Sequence, residues 1–186
     1  FGTAPGSDRW AALAEGRDSG PLRDLVDRVE VLAAEGAFER AARLRDRTAA
    51  LVRVLSRRQE LAATASLPEI VLAQPAPRRT WAVAVVRHGR LAGSGVVPPG
   101  AAPMPVIDGL RAAATTVQPG PGPFAGATAA QIRNVHRWID STRTRIVSVE
   151  GCWTLPLDGA HTLTGWATLA ESAAAEHRGT GLVSAR

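Results

Sequence analysis

The stretch VEVLAAEGAFERAARLRD, residues 29–46, decides how the first third of the chain folds. Gly36 interrupts a helical pattern, and glycine most readily adopts the left-handed conformation that ends helices. Before it, apolar residues three and four positions apart mark one helical face: Leu22, Leu25, Val26, Val29, Leu32 and Ala33. Ser19 followed by Pro21 is typical of a helix start. The pattern therefore predicts a helix from about Pro21 to Glu35.

A second helix is predicted from Ala37 or Phe38 to about Ala63. The connection at Gly36 is so short that the two helices should run antiparallel. We therefore expect a lead-in over residues 1–20 and a helical hairpin over residues 21–64. Two helices cannot cover an apolar face by themselves, so the hairpin should pack on the rest of the chain or on another protein's hairpin.

The sequence pattern changes after the hairpin, from helical spacing to prolines and strand-type apolar runs. Prolines at positions 68, 75 and 77 indicate a linker over residues 65–80. We then expect, in order, a strand at 81–86, a turn at 87–90, a return strand at 91–97, helices near 104–117 and 127–141, and a strand at 145–149. The predicted fold class is α+β: an N-terminal antiparallel helical hairpin, then a small β-β-α-α-β domain over 81–177 and a frayed tail over 178–186.

Composition limits the possible classes of protein. The 186 residues are 45% apolar and 21% charged, as in ordinary globular domains. Cys152 is the single cysteine, which excludes an intrachain disulfide and fits a reducing, cytoplasmic location. No apolar run approaches the roughly 20 residues that span a bilayer, so we expect no membrane contact. The chain starts with Phe1 rather than Met, and we expect it to be a piece of a longer polypeptide.

The net charge is +5, and all 22 basic residues are arginines. Arginine presents a planar fork that suits phosphate, so a nucleic acid is a candidate partner. Two groups are candidates for that contact: Arg53, Arg57 and Arg58 at the end of the second helix, and Arg87 and Arg90 around the turn. A solvated surface is the alternative interpretation of both.

Catalytic patterns are missing from the sequence. Metal-dependent nucleases gather several carboxylates around one or two cations, and the predicted strand at 81–86 carries none. The four histidines, at positions 88, 136, 161 and 177, do not have the spacing of metal ligands. We therefore expect no metal and no other cofactor in this chain.

Residues 29–46 resemble the UVR motif, a helical hairpin found in UvrB, UvrC and some Clp-protease regulators. Phe38-Glu39, Ala41-Ala42 and Arg45-Asp46 match the motif in register, and Val29 replaces its usual methionine. The resemblance implies that the hairpin binds another such hairpin. It implies Phe38, Glu39, Ala42, Arg45 and Asp46 as the partner-binding residues, and a UvrB-like protein, another UVR-hairpin protein or a second copy of the chain as the partner.

Residues 85–93, VVRHGRLAG, are similar to the hairpin that follows the UVR motif in UvrC. Residues 81–177 would then be a truncated, degenerate RNase-H-like domain. The whole resembles the C-terminal part of bacterial fusion proteins that join a DEDD exonuclease or a GIY-YIG nuclease to a UvrC-like module. The resemblance implies that the longer polypeptide is a DNA-repair nuclease that uses Mg²⁺ or Mn²⁺.

These observations predict a non-catalytic docking module, with a possible role in positioning DNA, within a UvrC-related repair nuclease. Three alternatives stay open: an arginine-rich DNA-binding module, a residual RNase-H-like metal-dependent endonuclease, and a UVR-type adaptor of a Clp protease.

Overall fold

A computed structural model describes residues 5–183 of the chain. The described part is a mixed α/β structure with a four-stranded antiparallel sheet and six α-helices. The helices are α1 (Pro5–Glu15), α2 (Gly20–Ala34), α3 (Phe38–Ala65), α4 (Pro103–Ala113), α5 (Ala129–Ile139) and α6 (Thr164–Val183). The strands are β1 (Glu69–Ala76), β2 (Thr80–Arg87), β3 (Arg90–Val97) and β4 (Arg145–Glu150). No described helix is both long and apolar enough to cross a membrane.

The chain divides into two compact units, residues 1–59 with 155–186 and residues 60–154. The core of the first unit is formed by apolar residues of α1, α2, α3, α6 and the short segment just before α6. Its buried members are Leu13, Leu22, Ala49, Val52, Leu55, Ala160, Ala167 and Ala170. Small residues dominate the α6 side of this core, which lets that helix approach its neighbours closely.

Helix α2 ends at Ala34, two residues before Gly36, as the sequence predicts. The amide of Ala37 donates to the carbonyl of Leu32 at 2.9 Å, and the amide of Gly36 donates to the carbonyl of Ala33 at 3.0 Å. These two bonds form a Schellman motif, with Gly36 in the left-handed region at φ +76°. The two predicted helices and the turn are present, and their antiparallel pairing stays a prediction.

Alanine at Gly36 should lower the free energy of unfolding by about 1 kcal/mol, because a Cβ is unfavourable at positive φ. Nothing lies within 4 Å of the position that this Cβ would take, so the effect isolates the backbone. Gly109 inside α4 is a matched control with equally open space, and alanine there should stabilise by about 0.5–1 kcal/mol. Urea unfolding measures both changes, and effects of the same sign would contradict the assignment of Gly36.

The sheet of the second unit has the order β3-β2-β1-β4, with all neighbours antiparallel. Alternate residues of β1 face opposite sides of the sheet. Val71 and Ala73 pack in a cluster with α4, whereas Ile70 and Leu72 pack in a cluster with α5. Because both faces of the sheet are covered, β1 is a continuous apolar run rather than an alternating one.

Strand β1 corrects the predicted linker over residues 65–80. The three prolines lie at the margins of the strand rather than in its paired centre: Pro68 precedes it, Pro75 is its penultimate residue and Pro77 follows it. The intervening apolar run is buried between β2 and β4, a setting that the local pattern does not reveal. The second unit is therefore β-β-β-α-α-β over its ordered elements, not β-β-α-α-β.

Two terminal predictions also differ from the structure. Residues 5–15 form the helix α1, where a lead-in of one or two turns was expected, because Leu13 is buried in the first core. The helix α6 continues to Val183, where a frayed tail was expected from residue 178. Residues 1–4 and 184–186 lie outside the described part of the chain.

Candidate nucleic-acid interface

The residues predicted to bind a partner hairpin lie in the first turns of α3. Phe38 opens the helix with 70% of its surface exposed, and Glu39 beside it is exposed as well. Ala42 is half-buried. The Nε of Arg45 donates to a carboxylate oxygen of Asp46 at 2.9 Å, so these two side chains engage each other. Their binding of a partner stays a prediction.

Two of the three arginines at the end of α3 contact other elements of the first unit. Arg53 makes a two-pronged ion pair with Glu171 of α6, and hydrogen bonding to that carboxylate raises the pKa of the arginine above its ordinary value. Arg58 donates to the carbonyl of Ala14 in α1. Arg57 is half-buried. These contacts join α1, α3 and α6, and phosphate binding by this group stays a prediction.

Arg87, at the end of β2, is held inside the second unit. Its Nε donates to Glu69 at 2.9 Å, and the carboxylate of Glu69 is only 5% exposed. Its other nitrogens donate to the carbonyls of Arg111, Ala114 and Thr115 at 3.0–3.2 Å, where α4 ends. A cation at this position also complements the negative end of the helix dipole. Arg87 therefore fastens α4 to the sheet.

Arg111 completes this network around Glu69. Its Nε donates to Glu69 at 2.6 Å, and a terminal nitrogen lies 3.0 Å from Glu150 on β4. The hydrogen bond that Arg111 donates to Glu69, with the negative charge of that carboxylate, raises the pKa of Arg111 above its ordinary value. Arg90, the other arginine of the predicted turn pair, donates to the carbonyl of Gly126. Glu69 is a residue that the sequence analysis missed, because it lay in the predicted linker.

The excess of positive charge belongs to the second unit. Residues 60–154 contain nine arginines and five acidic residues, a net charge of +4, whereas the rest of the chain contains thirteen arginines and twelve acidic residues. Four of the nine lie near the end of β1, in the turn to β2 and at the start of β4. We call this group the basic rim: Arg78, Arg79, Arg143 and Arg145, all exposed.

None of the four rim arginines forms an ion pair with a described residue. Arg143 donates to the carbonyl of Pro75 at 3.2 Å, which holds it beside the end of β1. Sequence reasoning missed the rim because its first pair fell in the predicted linker. The available signal was the Arg78-Arg79 pair standing between two β-type apolar runs.

Metal ligands do not gather in the described part of the chain, where no group of three or more His, Cys, Asp or Glu residues could hold a cation. The ring Nε2 of His136 lies 2.7 Å from the hydroxyl of Thr64, and both side chains are buried. Cys152 is exposed. An apolar groove of about 400 Å³ lies between the sheet and α5 and includes Leu72, Val86 and Trp138 in its lining.

Comparison with known proteins gives one informative relative. The chain is 39% identical over 170 residues, 89% of its length, to a protein of Mycobacterium tuberculosis (strain CDC 1551 / Oshkosh) named "Putative bifunctional exonuclease/endonuclease protein". The chain spans about a quarter of that relative, 26% of its length. No protein-family profile matches the chain. No solved structure matches it either.

The relative overturns the predicted function. A non-catalytic docking module was expected, but the relative is named for two nuclease activities, which points to nuclease function. The prediction of a docking module is therefore wrong, and among the alternatives the nuclease interpretation fits better. The prediction rested on the absence of carboxylates from the strand at 81–86, and the chain spans only 26% of the protein that bears the nuclease name.

Proposed function

We propose that this chain is a segment of a DNA nuclease and that it binds the DNA on which the nuclease acts, as the arginine-rich alternative predicts. The identity of 39% with a protein named as an exonuclease and endonuclease carries the proposal. The sequence resemblance of residues 29–46 and 85–93 to UvrC supports a repair nuclease of the UvrC-like kind. The net charge of +4 on residues 60–154 supplies the attraction to phosphate that such a role requires.

A nuclease of this kind implies Mg²⁺ or Mn²⁺, and the described residues do not fit such an ion. Glu69 is the buried carboxylate of the sheet, and two arginines already neutralise it. A carboxylate held in this way cannot also complete the oxygen shell of a divalent cation. We therefore derive no step through a metal.

Binding of fluorescein-labelled DNA to the 186-residue chain tests the proposal. We expect binding at about 50 mM salt, and an affinity that falls about 50-fold by about 200 mM, because each neutralised phosphate releases a counterion. Fluorescence anisotropy measures both quantities. A chain that binds neither single strands nor duplex at low salt, or whose affinity ignores salt, would refute the proposed role.

The residual RNase-H-like endonuclease is a second candidate, favoured by the name of the relative. The same chain incubated with nicked or bubble DNA and Mn²⁺ separates the two. Labelled fragments that disappear on chelation of the metal would establish cleavage by the chain itself. Intact DNA together with salt-dependent binding would favour DNA binding without cleavage by this chain.

A further inference from the structure

We propose that the basic rim, with Trp81 beside it, binds single-stranded DNA by its phosphates and one or more bases. This inference rests on the proposed function and names the surface that carries it. Four observations support it: the absence of ion pairs at the rim, the geometry of the turn, the placement of the tryptophan and the charge of the surrounding unit.

The turn that presents Arg78 and Arg79 is built against local preference. The amide of Thr80 donates to the carbonyl of Pro77, which closes a turn over residues 77–80. Arg78 has φ 59° and ψ 31°, and Arg79 has φ 58°, so the turn is of type I′. Asn and Gly are the residues that take these two positions at least cost. Two arginines at these positions carry backbone strain, and such strain is characteristic of functional positions.

Arg78 and Arg79 lie in the turn between β1 and β2. Both side chains are exposed, and neither makes a hydrogen bond or an ion pair with a described residue. In contrast, Arg87 and Arg111 of the same unit are saturated by Glu69 and by carbonyl groups. Arg78 and Arg79 therefore keep their donors for an outside anion, and the fork of arginine matches phosphate oxygens.

The strand register places an aromatic side chain on the same face as a rim arginine. Trp81 on β2 pairs with Pro75 on β1, and Arg145 on β4 pairs with Ala73 on β1. Paired residues share a face, and so do residues two apart in one strand, so Trp81 and Arg145 project from one face on either side of β1. Trp81 is 39% exposed. An exposed ring beside a track of cations is the arrangement on which unpaired bases stack.

The test uses an oligothymidylate of about 20 nucleotides, which exceeds the usual site size of a single-strand-binding surface. In the double variant Arg78→Asn/Arg79→Gly, the turn receives its preferred residues and loses two positive charges. We expect its affinity to fall about tenfold and its salt slope to become shallower by about 1 for each arginine removed. We expect Tm to rise by about 2–4 °C, so weaker binding cannot come from unfolding.

A matched control removes the same charge elsewhere. Arg23→Gln/Arg28→Gln changes two exposed arginines of α2 in the first unit, and we expect its affinity to stay within about twofold of the original chain. An equal loss in both variants would show an effect of net charge alone and overturn the inference. Normal affinity of the Arg78→Asn/Arg79→Gly variant would overturn it as well, while the proposed function stands. If the chain without substitutions binds no DNA, the proposed function itself is refuted.

Trp81→Leu tests the preference for single strands. Loss of one stacked base should weaken oligothymidylate binding by about fivefold or more and leave binding of a blunt duplex unchanged. Equal effects on the single strand and the duplex would overturn the assignment to single-stranded DNA.

Discussion

Replacing Glu69 by alanine is expected to lower the free energy of unfolding by about 3 kcal/mol. The carboxylate is 5% exposed and accepts from Arg87 and Arg111 at 2.6–2.9 Å. Its removal leaves two neighbouring cations without their common anion at the junction of α4 and the sheet. The two arginine side chains are 22% and 32% exposed, so water can reach them in part, which places the effect at the lower end of the range for broken buried pairs.

Denaturant unfolding measures this loss, with Glu150→Ala as the control. Glu150 also contacts Arg111, at 3.0 Å, but its side chain is 57% exposed. Exposed ion pairs contribute about 0–1 kcal/mol, so this variant should lose no more than that. Equal effects of the two substitutions would contradict the central role of Glu69. Substitution of Glu69 by glutamine should lie between them, because the amide keeps one acceptor and loses the charge.

The second large effect is expected in the first unit, where Gln59→Leu should lower the free energy of unfolding by about 2–3 kcal/mol. Gln59 is 3% exposed and joins two elements: its Nε2 donates to the carbonyl of Leu13, and its Oε1 accepts from the amide of Ala160, both at 2.9 Å. Leucine fills a similar volume but leaves the Ala160 amide without this acceptor. The Leu13 carbonyl keeps a bond from the amide of Gly16 at 3.1 Å, which limits the loss.

Thermal or urea unfolding checks this value. Gln118→Leu is the matched control, because the same exchange at an exposed position should change stability by less than about 0.5 kcal/mol. If Gln59→Leu lowered stability as little as Gln118→Leu, the two buried hydrogen bonds would make no net contribution to the free energy of unfolding. DNA binding through the rim should be unchanged in the Gln59 variant, because this glutamine lies outside residues 60–154.

Several elements were predictable because their signals are local. A glycine at position 36 and apolar spacing of three and four residues place the end of α2 and the start of α3 correctly. The hairpin of β2 and β3 was predictable from two apolar runs around His88-Gly89, which adopt φ 48° and 70° in the turn. The Thr128–Gln131 capping box likewise begins α5 within two residues of the predicted start.

The arginines show where local reasoning stopped. The sequence placed Arg53 and Arg58 on a basic helix end, and it placed Arg87 and Arg90 around a turn. In the structure, each of these four arginines donates to an acidic side chain or to a backbone carbonyl. Arg53 and Glu171 are 118 residues apart in sequence, so no pattern within a window joins them.

The sequence by itself determined the helix that ends at Gly36, the β2–β3 hairpin, the positive charge and the single cysteine, because each depends on neighbouring residues or on composition alone. Only the tertiary structure made β1 a central strand, buried Glu69 between two arginines and brought the turn after β1 beside the start of β4. The physical reason is that strand pairing and ion-pair burial join residues far apart in sequence. Which arginines pair with acidic side chains and which do not is therefore a property of the folded sheet, not of the arginine count.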